Sequence, residues 1–186
     1  MDRPIPESYW VEPGRFLAGE YPGSFDAETA RTRLDAFLRA GLRTFIDLTQ
    51  SHELMSYESV LAERAALQKV DTAYQRFPIR DHGVPSVGTM MHILDAIDRA
   101  LDSGRNIYVH CWGGIGRTGV AVGCYLVRRG QTNQQALAQV NRLFKTRPVN
   151  LSFPTSPETE EQVRFLLNWR EVPGAVDGSR QKICEG

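Results

Sequence analysis

Short apolar segments rich in β-branched and aromatic residues alternate with helical segments along this chain, and this alternation is the strongest constraint on the fold. The predicted strands are Tyr9–Val11, Arg15–Leu17, Arg43–Thr49, Ala73–Ile79 and Ile107–His110. Apolar residues at helical spacing predict helices over 26–40, 57–68, 87–104, 120–129, 133–147 and 157–170. Strands that alternate with helices form a mainly parallel sheet covered on both faces. We therefore expect a compact α/β fold with a twisted, mainly parallel central sheet.

Local signals at the ends of these segments support the same reading. The first two strands form a hairpin around Pro13-Gly14. The predicted helix N-caps are Ser24, Ser86 and Thr132. Three glycines, Gly41, Gly104 and Gly130, follow helices and are typical of helix ends.

The size and charge of the chain restrict its organisation and its partners. With 186 residues and 41% hydrophobic residues, it is predicted to form one domain over 1–171, followed by a flexible tail at 172–186. The 22 basic residues balance the 22 acidic ones, so no global field draws the chain to nucleic acid or to an anionic membrane. No aromatic stacking pattern accompanies the basic residues. We predict neither a nucleic-acid partner nor a membrane partner.

Cysteine usage indicates the compartment. Three cysteines are too few, and odd in number, for a disulfide framework, which favours a reducing environment. The first residues lack an apolar signal-peptide run, and no apolar stretch is long enough to span a bilayer. The sequence predicts a cytoplasmic protein.

The segment 103–157 contains no Asp or Glu, although it carries seven positive side chains: Arg105, Arg117, Arg128, Arg129, Arg142, Lys145 and Arg147. One interpretation is a local field that attracts a dianionic phosphate. The alternative is a chance gap in which these residues lie on solvated helix faces.

A glycine-rich turn between a predicted strand and a predicted helix, HCWGGIGRTG at 110–119, has the properties of an anion site. Successive backbone N–H groups of such a turn and the positive end of the helix dipole can surround a phosphate. At this position Cys111 is favoured as a thiolate, and therefore as a nucleophile. Arg117 can present a planar fork to two phosphoryl oxygens. Thr118 can donate a hydrogen bond to the sulfur. The alternative for Cys111 is an inert core thiol.

This turn resembles the signature HCxxGxGRTG of the cysteine-dependent protein tyrosine phosphatase superfamily, and it matches at every fixed position. The length is similar to that of compact, dual-specificity-like members. The resemblance implies a compact tyrosine-phosphatase-like fold in which the loop residues Trp112, Gly113, Gly114, Ile115 and Gly116 bind the phosphoryl group. It also implies that His110 orients the loop. Phosphoinositide-specific members often carry Lys inside the loop, and this chain does not.

A cysteine phosphatase also needs a general acid and base. Asp81 lies in the segment FPIRDHGVPS at 77–86, and its run DHGVP resembles the mobile acid loop of tyrosine phosphatases. Ile79-Arg80 stands where many members have Trp-Pro. The alternative is an Asp that only shapes a turn.

Other candidates carry weaker signals. Residues 157–165 resemble the water-positioning segment of the superfamily, with Gln162 as the candidate and Glu158 at a position where relatives have Gln. Gln162 is otherwise an ordinary residue on a helix surface. Cys124 is predicted to be buried, although some members pair a second cysteine with the nucleophile. Asp47 and Tyr57 either line the entrance or play structural roles. The remaining histidines show no metal-ligand spacing, so no metal or other cofactor is predicted.

Together these observations predict a monomeric, metal-independent protein phosphatase that acts through a phosphocysteine intermediate. Its substrates would be phosphotyrosine monoesters in proteins or peptides, with phosphoserine and phosphothreonine monoesters as further candidates. Two alternatives remain open at this point. One is a phosphatase for phosphoinositides, RNA 5′-phosphates or small phosphate esters, and the other is an inactive phosphate-binding module.

Overall fold

The computed structural model describes residues 2–148 and 153–171. Its five strands are β1 (Ser8–Glu12), β2 (Phe16–Gly19), β3 (Leu42–Asp47), β4 (Ala73–Arg76) and β5 (Asn106–His110). They form one sheet in the order β1-β2-β5-β3-β4. The pair β1 and β2 is antiparallel, and the pairs β2 with β5, β5 with β3 and β3 with β4 are parallel. The predicted α/β fold with a mainly parallel sheet is confirmed.

Six helices cover the sheet. They are α1 (Ala27–Arg39), α2 (Glu58–Gln68), α3 (Val87–Asp102), α4 (Gly116–Arg128), α5 (Asn133–Phe144) and α6 (Glu160–Leu167). Helices α1 and α2 pack into one hydrophobic cluster, and the other four helices contribute to a second. Alternate residues of the central strand β5 belong to different clusters: Tyr108 faces the first, whereas Ile107 and Val109 face the second. The helices therefore lie on both faces, as predicted.

The carboxyl ends of three parallel strands meet at one edge of the sheet. His110, the last residue of β5, is paired in register with Gly19 of β2 and with Asp47 of β3. In open α/β sheets, ligands bind beyond the carboxyl ends of the strands. The fold therefore places the glycine-rich turn, which follows His110 directly, where a site is expected.

Several element boundaries differ from the predicted ones. Asp26, and not Ser24, caps α1, because its carboxylate accepts a hydrogen bond from the Thr29 N–H at 2.7 Å. Helix α4 begins at Gly116 instead of Val120, so Arg117 and Thr118 belong to its first turn. Strand β4 ends three residues before the predicted end, and α5 and α6 are shorter than predicted. The predicted caps Ser86 and Thr132 are confirmed.

The acid-free segment 103–157 does not form one basic surface. Arg128 pairs with the acidic residues Asp95, Asp98 and Glu171, and Arg129 pairs with Asp98. Arg105 pairs with Asp71. Carboxylates distant in sequence therefore neutralise these three of the seven positive side chains, and attraction of a phosphate by the segment stays a prediction.

The last two observations concern a membrane span and the predicted tail. In 2–148 and 153–171, no helix combines the length and the apolar character that crossing a bilayer requires. The predicted tail 172–186 lies outside the described residues.

Candidate active site

The turn Cys111–Ile115, which we call the glycine-rich loop, joins β5 to α4 and is packed closely against β2. Cys111 is 3% exposed. Gly114 has a φ of +67°, and a Cβ there would overlap the backbone carbonyl group of Gly19. Only glycine fits this position, because it tolerates both the left-handed conformation and the close approach of backbone. The loop around Cys111 is therefore fixed by contact with the sheet.

Side chains from outside the loop hold its carbonyl groups. Arg147 donates to the carbonyl oxygens of Gly113 and Gly114, both at 3.1 Å. The Ser156 hydroxyl donates to the carbonyl oxygen of Ile115 at 2.7 Å. These contacts fix three consecutive peptide planes, whose N–H groups are the ones predicted to bind an anion.

Arg117 is nearly fully buried and is held by Glu53. Its two terminal nitrogens donate to the two carboxylate oxygens of Glu53 at 2.8 and 2.5 Å. One of them also donates to the Ile79 carbonyl oxygen at 3.1 Å, and the other to Asp81 Oδ1 at 2.7 Å. The sequence analysis missed Glu53. The only signal for it was its position shortly after β3, at the edge where the parallel strands end.

The hydrogen-bond inventory of Arg117 shows how an anion would bind. A guanidinium group has five N–H bonds. The two terminal nitrogens use all four of theirs on Glu53, Ile79 and Asp81, and the Nε–H has no partner among the described residues. A phosphoryl group that takes a fork from Nε and the neighbouring terminal nitrogen must displace Asp81. The carboxylate of Asp81 therefore lies where one oxygen of a bound phosphoryl group would lie.

The ion pair shifts the pKa of both Glu53 and Arg117. Burial opposes ionisation of Glu53, but the hydrogen bonds from Arg117 and from the Gln50 N–H, together with the positive charge of Arg117, lower the pKa of Glu53. Burial likewise acts against the charge of Arg117, yet the bond to Glu53 and the nearby negative groups raise its pKa. Both side chains are charged at neutral pH.

Asp81 and the segment around it are tied to the start of α6. His82 lies between two carboxylates, with its ring nitrogens 3.4 Å from Asp81 Oδ2 and 3.2 Å from Glu158 Oε1. The Thr159 hydroxyl donates to the His82 carbonyl oxygen at 3.4 Å. Asp81 therefore stands beside Arg117 in a loop that the C-terminal segment supports.

Gln162 is fully buried against the start of α4 and against the segment 77–86, which we call the acid loop. Its Nε2 donates to the Gly83 carbonyl oxygen at 3.1 Å, and its Oε1 accepts from the backbone N–H groups of Glu158 and Thr159. A Cβ on Gly116 would lie 2.6 Å from its Oε1. The alternative reading of Gln162 as a surface residue is wrong. Its proposed role in positioning water remains a prediction, because both ends of the amide are already engaged here.

His110 is fully buried and contacts the loop, as the resemblance implied. Its Nε2 is 2.7 Å from the Tyr57 hydroxyl, and its Nδ1 is 3.2 Å from the Cys111 carbonyl oxygen. Burial lowers its pKa below the usual value, so the ring is neutral at pH 7. Tyr57 is buried behind His110 and does not line the entrance.

Asp47 does not line the entrance either, because it is fully buried. Its carboxylate accepts hydrogen bonds from Thr49, Tyr74 and Arg76. Burial opposes its ionisation, but the influence of His110 and the bonds from Tyr74 and Thr49 prevail and lower its pKa. The structural interpretation of Asp47 is therefore the one that holds.

The two remaining candidates are Thr118 and Cys124. Thr118 Oγ1 is buried without a hydrogen-bond partner among the described residues, so the expected bond to the Cys111 sulfur is not formed in this structure. Cys124 is fully buried in α4, and burial raises the pKa of its thiol well above the usual value. The structure describes both Cys111 and Cys124 as free thiols, which agrees with the predicted burial of Cys124.

The candidate site is a cavity of about 230 Å³ that contains the predicted nucleophile, the predicted phosphate-binding arginine and the predicted acid. Cys111, Arg117, Asp81 and Gln162 are among its lining residues. Trp112 lines the same cavity and is 54% exposed, so it forms part of the wall. The fold thus brings the separately predicted residues into one site.

Comparison with known proteins decides the family. The family model described as "Polymorphic toxin system, DSP-PTPase phosphatase" matches residues 22–131, more than half of the chain. The chain belongs to this DSP-PTPase phosphatase family. The match includes the acid loop, Glu53 and the complete glycine-rich loop.

Individual relatives agree with this assignment. The chain is 32% identical over 127 residues to mouse protein tyrosine phosphatase domain-containing protein 1, a match that covers 64% of this chain and 17% of the relative. It is 30% identical over 100 residues to the Arabidopsis thaliana protein named phosphatidylinositol 3,4,5-trisphosphate 3-phosphatase and protein-tyrosine-phosphatase PTEN1, covering 53% of this chain and 23% of that one. The matches therefore span less than a quarter of either relative. The solved structure of the active form of Tk-PTP is 25% identical, with a TM-score of 0.68 and coverage of 87% of this chain and 96% of that chain.

The Glu53 carboxylate is predicted to position Arg117. In the variant Glu53→Gln, the amide can accept only one of the two bonds and carries no charge, so the guanidinium loses its bidentate support. We expect kcat/KM for an aryl phosphate to fall about 10- to 100-fold. Most of this decrease should come from a higher KM for the phosphate ester. Glu63→Gln, which removes an exposed carboxylate on α2, is the matched control. Equal kinetics for both variants would show that Arg117 does not need Glu53.

Burial of neutral His110 predicts a pH-dependent stability. Because its folded pKa is lowered, the unfolded chain binds a proton below about pH 6.5 that the folded chain does not, and the free energy of unfolding falls as the pH falls. The slope from this residue approaches about 1.4 kcal/mol per pH unit. Urea unfolding between pH 7.5 and 5 measures this slope. This pH range lies above the one in which Asp47 titrates.

The variants His110→Gln and His92→Gln separate this residue from the exposed histidines. We expect the slope to be reduced in the first variant and retained in the second, because His92 is exposed on α3. If His110→Gln kept the slope of the unchanged chain, the pH dependence would have another origin.

Proposed function

We propose that this phosphatase hydrolyses phosphotyrosine monoesters in proteins or peptides through a phosphocysteine on Cys111, without a metal ion. Phosphoserine and phosphothreonine monoesters are further candidate substrates. The observation that carries the proposal is the arrangement of Arg117, which is held by Glu53, shares one N–H with Asp81 and lines the cavity that contains Cys111.

In the first step, the Cys111 thiolate attacks phosphorus in line with the leaving oxygen. The S–P bond forms while the P–O bond to the substrate breaks, and Asp81 transfers its proton to the departing oxygen. Arg117 and the N–H groups of residues 112–117 stabilise the charge on the transferred group. The products of this step are a phenol or alcohol and the phosphocysteine.

In the second step, water attacks the phosphocysteine. Asp81, now a carboxylate, takes a proton from this water, the S–P bond breaks, and phosphate leaves the regenerated thiolate. Gln162 is the candidate for positioning the water, and it can do so only by giving up one of its present bonds to Gly83, Glu158 or Thr159.

The contact between Asp81 and Arg117 gives the acid two positions. In this structure, Asp81 accepts a hydrogen bond from Arg117 at 2.7 Å. When a phosphoryl group takes this N–H, the carboxylate loses its ion pair, takes up a proton from solvent and turns as a carboxylic acid toward the leaving oxygen. Asp81 is 42% exposed, so it has room to change its position. Binding of the substrate therefore frees the group that protonates it.

The choice of substrate class rests on the loop and on the relatives. The loop residues Trp112–Ile115 contain no Lys that would contact additional phosphates of an inositol ring. The mouse relative is named for a protein tyrosine phosphatase domain. The Arabidopsis relative is named for both a lipid and a protein activity, which keeps phosphoinositides as the second candidate. We also propose that the protein acts as a monomer in the reducing cytoplasm, the compartment that the sparse cysteines favour.

The cysteine mechanism predicts that the chain hydrolyses an aryl phosphate without a metal ion and that this hydrolysis depends on Cys111. The unchanged chain in EDTA should release phenol, and Cys111→Ser should reduce the rate by at least 10⁴-fold, because a serine hydroxyl is not ionised at neutral pH. Cys124→Ser is the matched control, since this thiol lies in the core, and it should keep most of the activity. Activity that survives Cys111→Ser, or that EDTA removes, would refute the cysteine mechanism.

A panel of substrates then distinguishes the candidates. Faster turnover of phosphotyrosine peptides than of soluble phosphoinositides would support a protein phosphatase, and the reverse order would support the lipid alternative. A folded chain that binds vanadate but hydrolyses none of these compounds would be a phosphate-binding module.

The second prediction follows from the competition at Arg117. In Asp81→Ala, the carboxylate that occupies the anion position is removed, so the affinity for an oxyanion inhibitor such as tungstate should rise about threefold to tenfold while kcat falls about 100-fold or more. Competition kinetics and calorimetry measure the two effects separately. Asp102→Ala, at the end of α3, is the control. Weaker binding of the oxyanion in Asp81→Ala would contradict the two-position description of the acid.

A further inference from the structure

A second cavity of about 180 Å³ lies beside the catalytic cavity and shares one residue with it. Trp112 of the glycine-rich loop lines both cavities. The remaining walls come from the segment between β2 and α1, which contributes Tyr21 and Phe25, and from the segment before α2, which contributes Leu54 and Met55. No part of the proposed mechanism uses this cavity.

The cavity is held in shape by hydrogen bonds that meet at Tyr21. The Tyr21 N–H donates to the carbonyl oxygen of Trp112 at 2.8 Å, and its hydroxyl donates to the carbonyl oxygen of Met55. Its own carbonyl oxygen accepts from Arg33 at 3.0 Å. One residue therefore connects all three segments, so the cavity is a formed feature of the fold.

The rim is apolar and unusually exposed. Phe25 is 82% exposed, Met55 is 59% exposed and Trp112 is 54% exposed. These are three of the seven large hydrophobic side chains that are exposed in the described part of the chain. Exposed apolar side chains that cluster around a cavity are typical of a binding surface, since covering them releases water.

The charged residues of the cavity do not favour a second anion. Arg33 donates to Glu20 at 2.7 Å and to the Tyr21 carbonyl oxygen, and Glu20 also lines the cavity. The two charges therefore neutralise each other, and the cavity offers an additional phosphate no free cation from this pair. A cavity of about 150 Å³ can hold benzene, so 180 Å³ is sufficient for one large apolar side chain.

We propose that this cavity binds an apolar side chain of the phosphorylated protein, close in sequence to the residue that is dephosphorylated. The inference rests on the proposed function and adds a substrate preference to it. The occupant is a segment of the substrate chain because Trp112 lines both cavities and so places them side by side, and a phosphorylated residue in the first brings its neighbours to the second. The segment would be extended, with an aromatic or long aliphatic side chain covering Met55 and Phe25.

The test compares phosphotyrosine peptides that differ at one neighbouring position. Leu, Phe, Ala or Asp is placed in turn at each of the two positions before and after the phosphotyrosine. We expect one position at which Leu or Phe gives a kcat/KM about tenfold higher than Ala, with Asp lower still because its charge would lose water against the apolar rim. Burial of a large apolar side chain is sufficient for a difference of this size.

Variants of the rim connect the preference to the cavity. Phe25→Ser and Met55→Ser should reduce the preference for Leu or Phe to less than threefold, while kcat/KM for the aryl phosphate stays within about twofold of the unchanged chain. The matched control is Leu67→Ser, another exposed apolar residue that does not line the cavity. A preference that persists in both rim variants, or equal rates for all peptides with the unchanged chain, would overturn the inference.

Failure of this inference is distinguishable from failure of the proposed function. Hydrolysis of the aryl phosphate without any peptide preference overturns the cavity assignment and leaves the cysteine chemistry intact. If the aryl phosphate is not hydrolysed, the proposed cysteine mechanism is refuted. The affinities of the same peptides for Cys111→Ser then decide whether the cavity binds an apolar side chain. Equal affinities for the Leu and Asp peptides would then overturn it, and a tenfold difference that Met55→Ser removes would support it.

Discussion

The bidentate ion pair between Arg117 and Glu53 is the interaction on which the rest of the site depends. Arg117 has 2% of its side chain exposed and Glu53 has 9%, so neither charge is solvated well enough to be stable alone. Removal of one partner from a buried pair leaves the other uncompensated, at a cost of about 3–5 kcal/mol. The pair also joins the segment after β3 to the first turn of α4, and through the Ile79 carbonyl oxygen it reaches the acid loop. Three segments distant in sequence are thereby held around one guanidinium group.

The same guanidinium group divides its N–H bonds between structure and chemistry. Three of the four bonds from its terminal nitrogens go to Glu53 and Ile79, which fix the plane of the fork. The fourth goes to Asp81 and is the one that an anion can take over. An arginine suits this division because its donors point in fixed directions, whereas a lysine would offer one rotating ammonium group. The arrangement explains how a rigid anchor and an exchangeable contact can belong to the same side chain.

Much of the fold and the centre of the site could be predicted from the sequence, because both depend on local patterns. The alternation of strands and helices predicted the parallel sheet, and the spacing of Cys111, Arg117 and the loop glycines predicted the anion site. Glu53 could not be identified in this way, since a buried carboxylate is defined by a partner 64 residues away. The pairing of Arg128 could not be predicted for the same reason, because the acids that neutralise it come from α3 and from residue 171. Gln162 was assigned to a helix correctly, but its contacts with Gly83 depend on how α6 packs.

The contact between Gly114 and Gly19 has a consequence for how the nucleophile is placed. Gly19 has as little space as its partner, because a Cβ there would lie 2.6 Å from the Glu7 carbonyl oxygen and 2.8 Å from the Tyr108 hydroxyl. The two glycines, 95 positions apart, therefore act as one joint in which neither can acquire a side chain independently. The edge of the sheet therefore fixes the position of the Cys111 sulfur, which is as rigid as the strand pairing between β2 and β5.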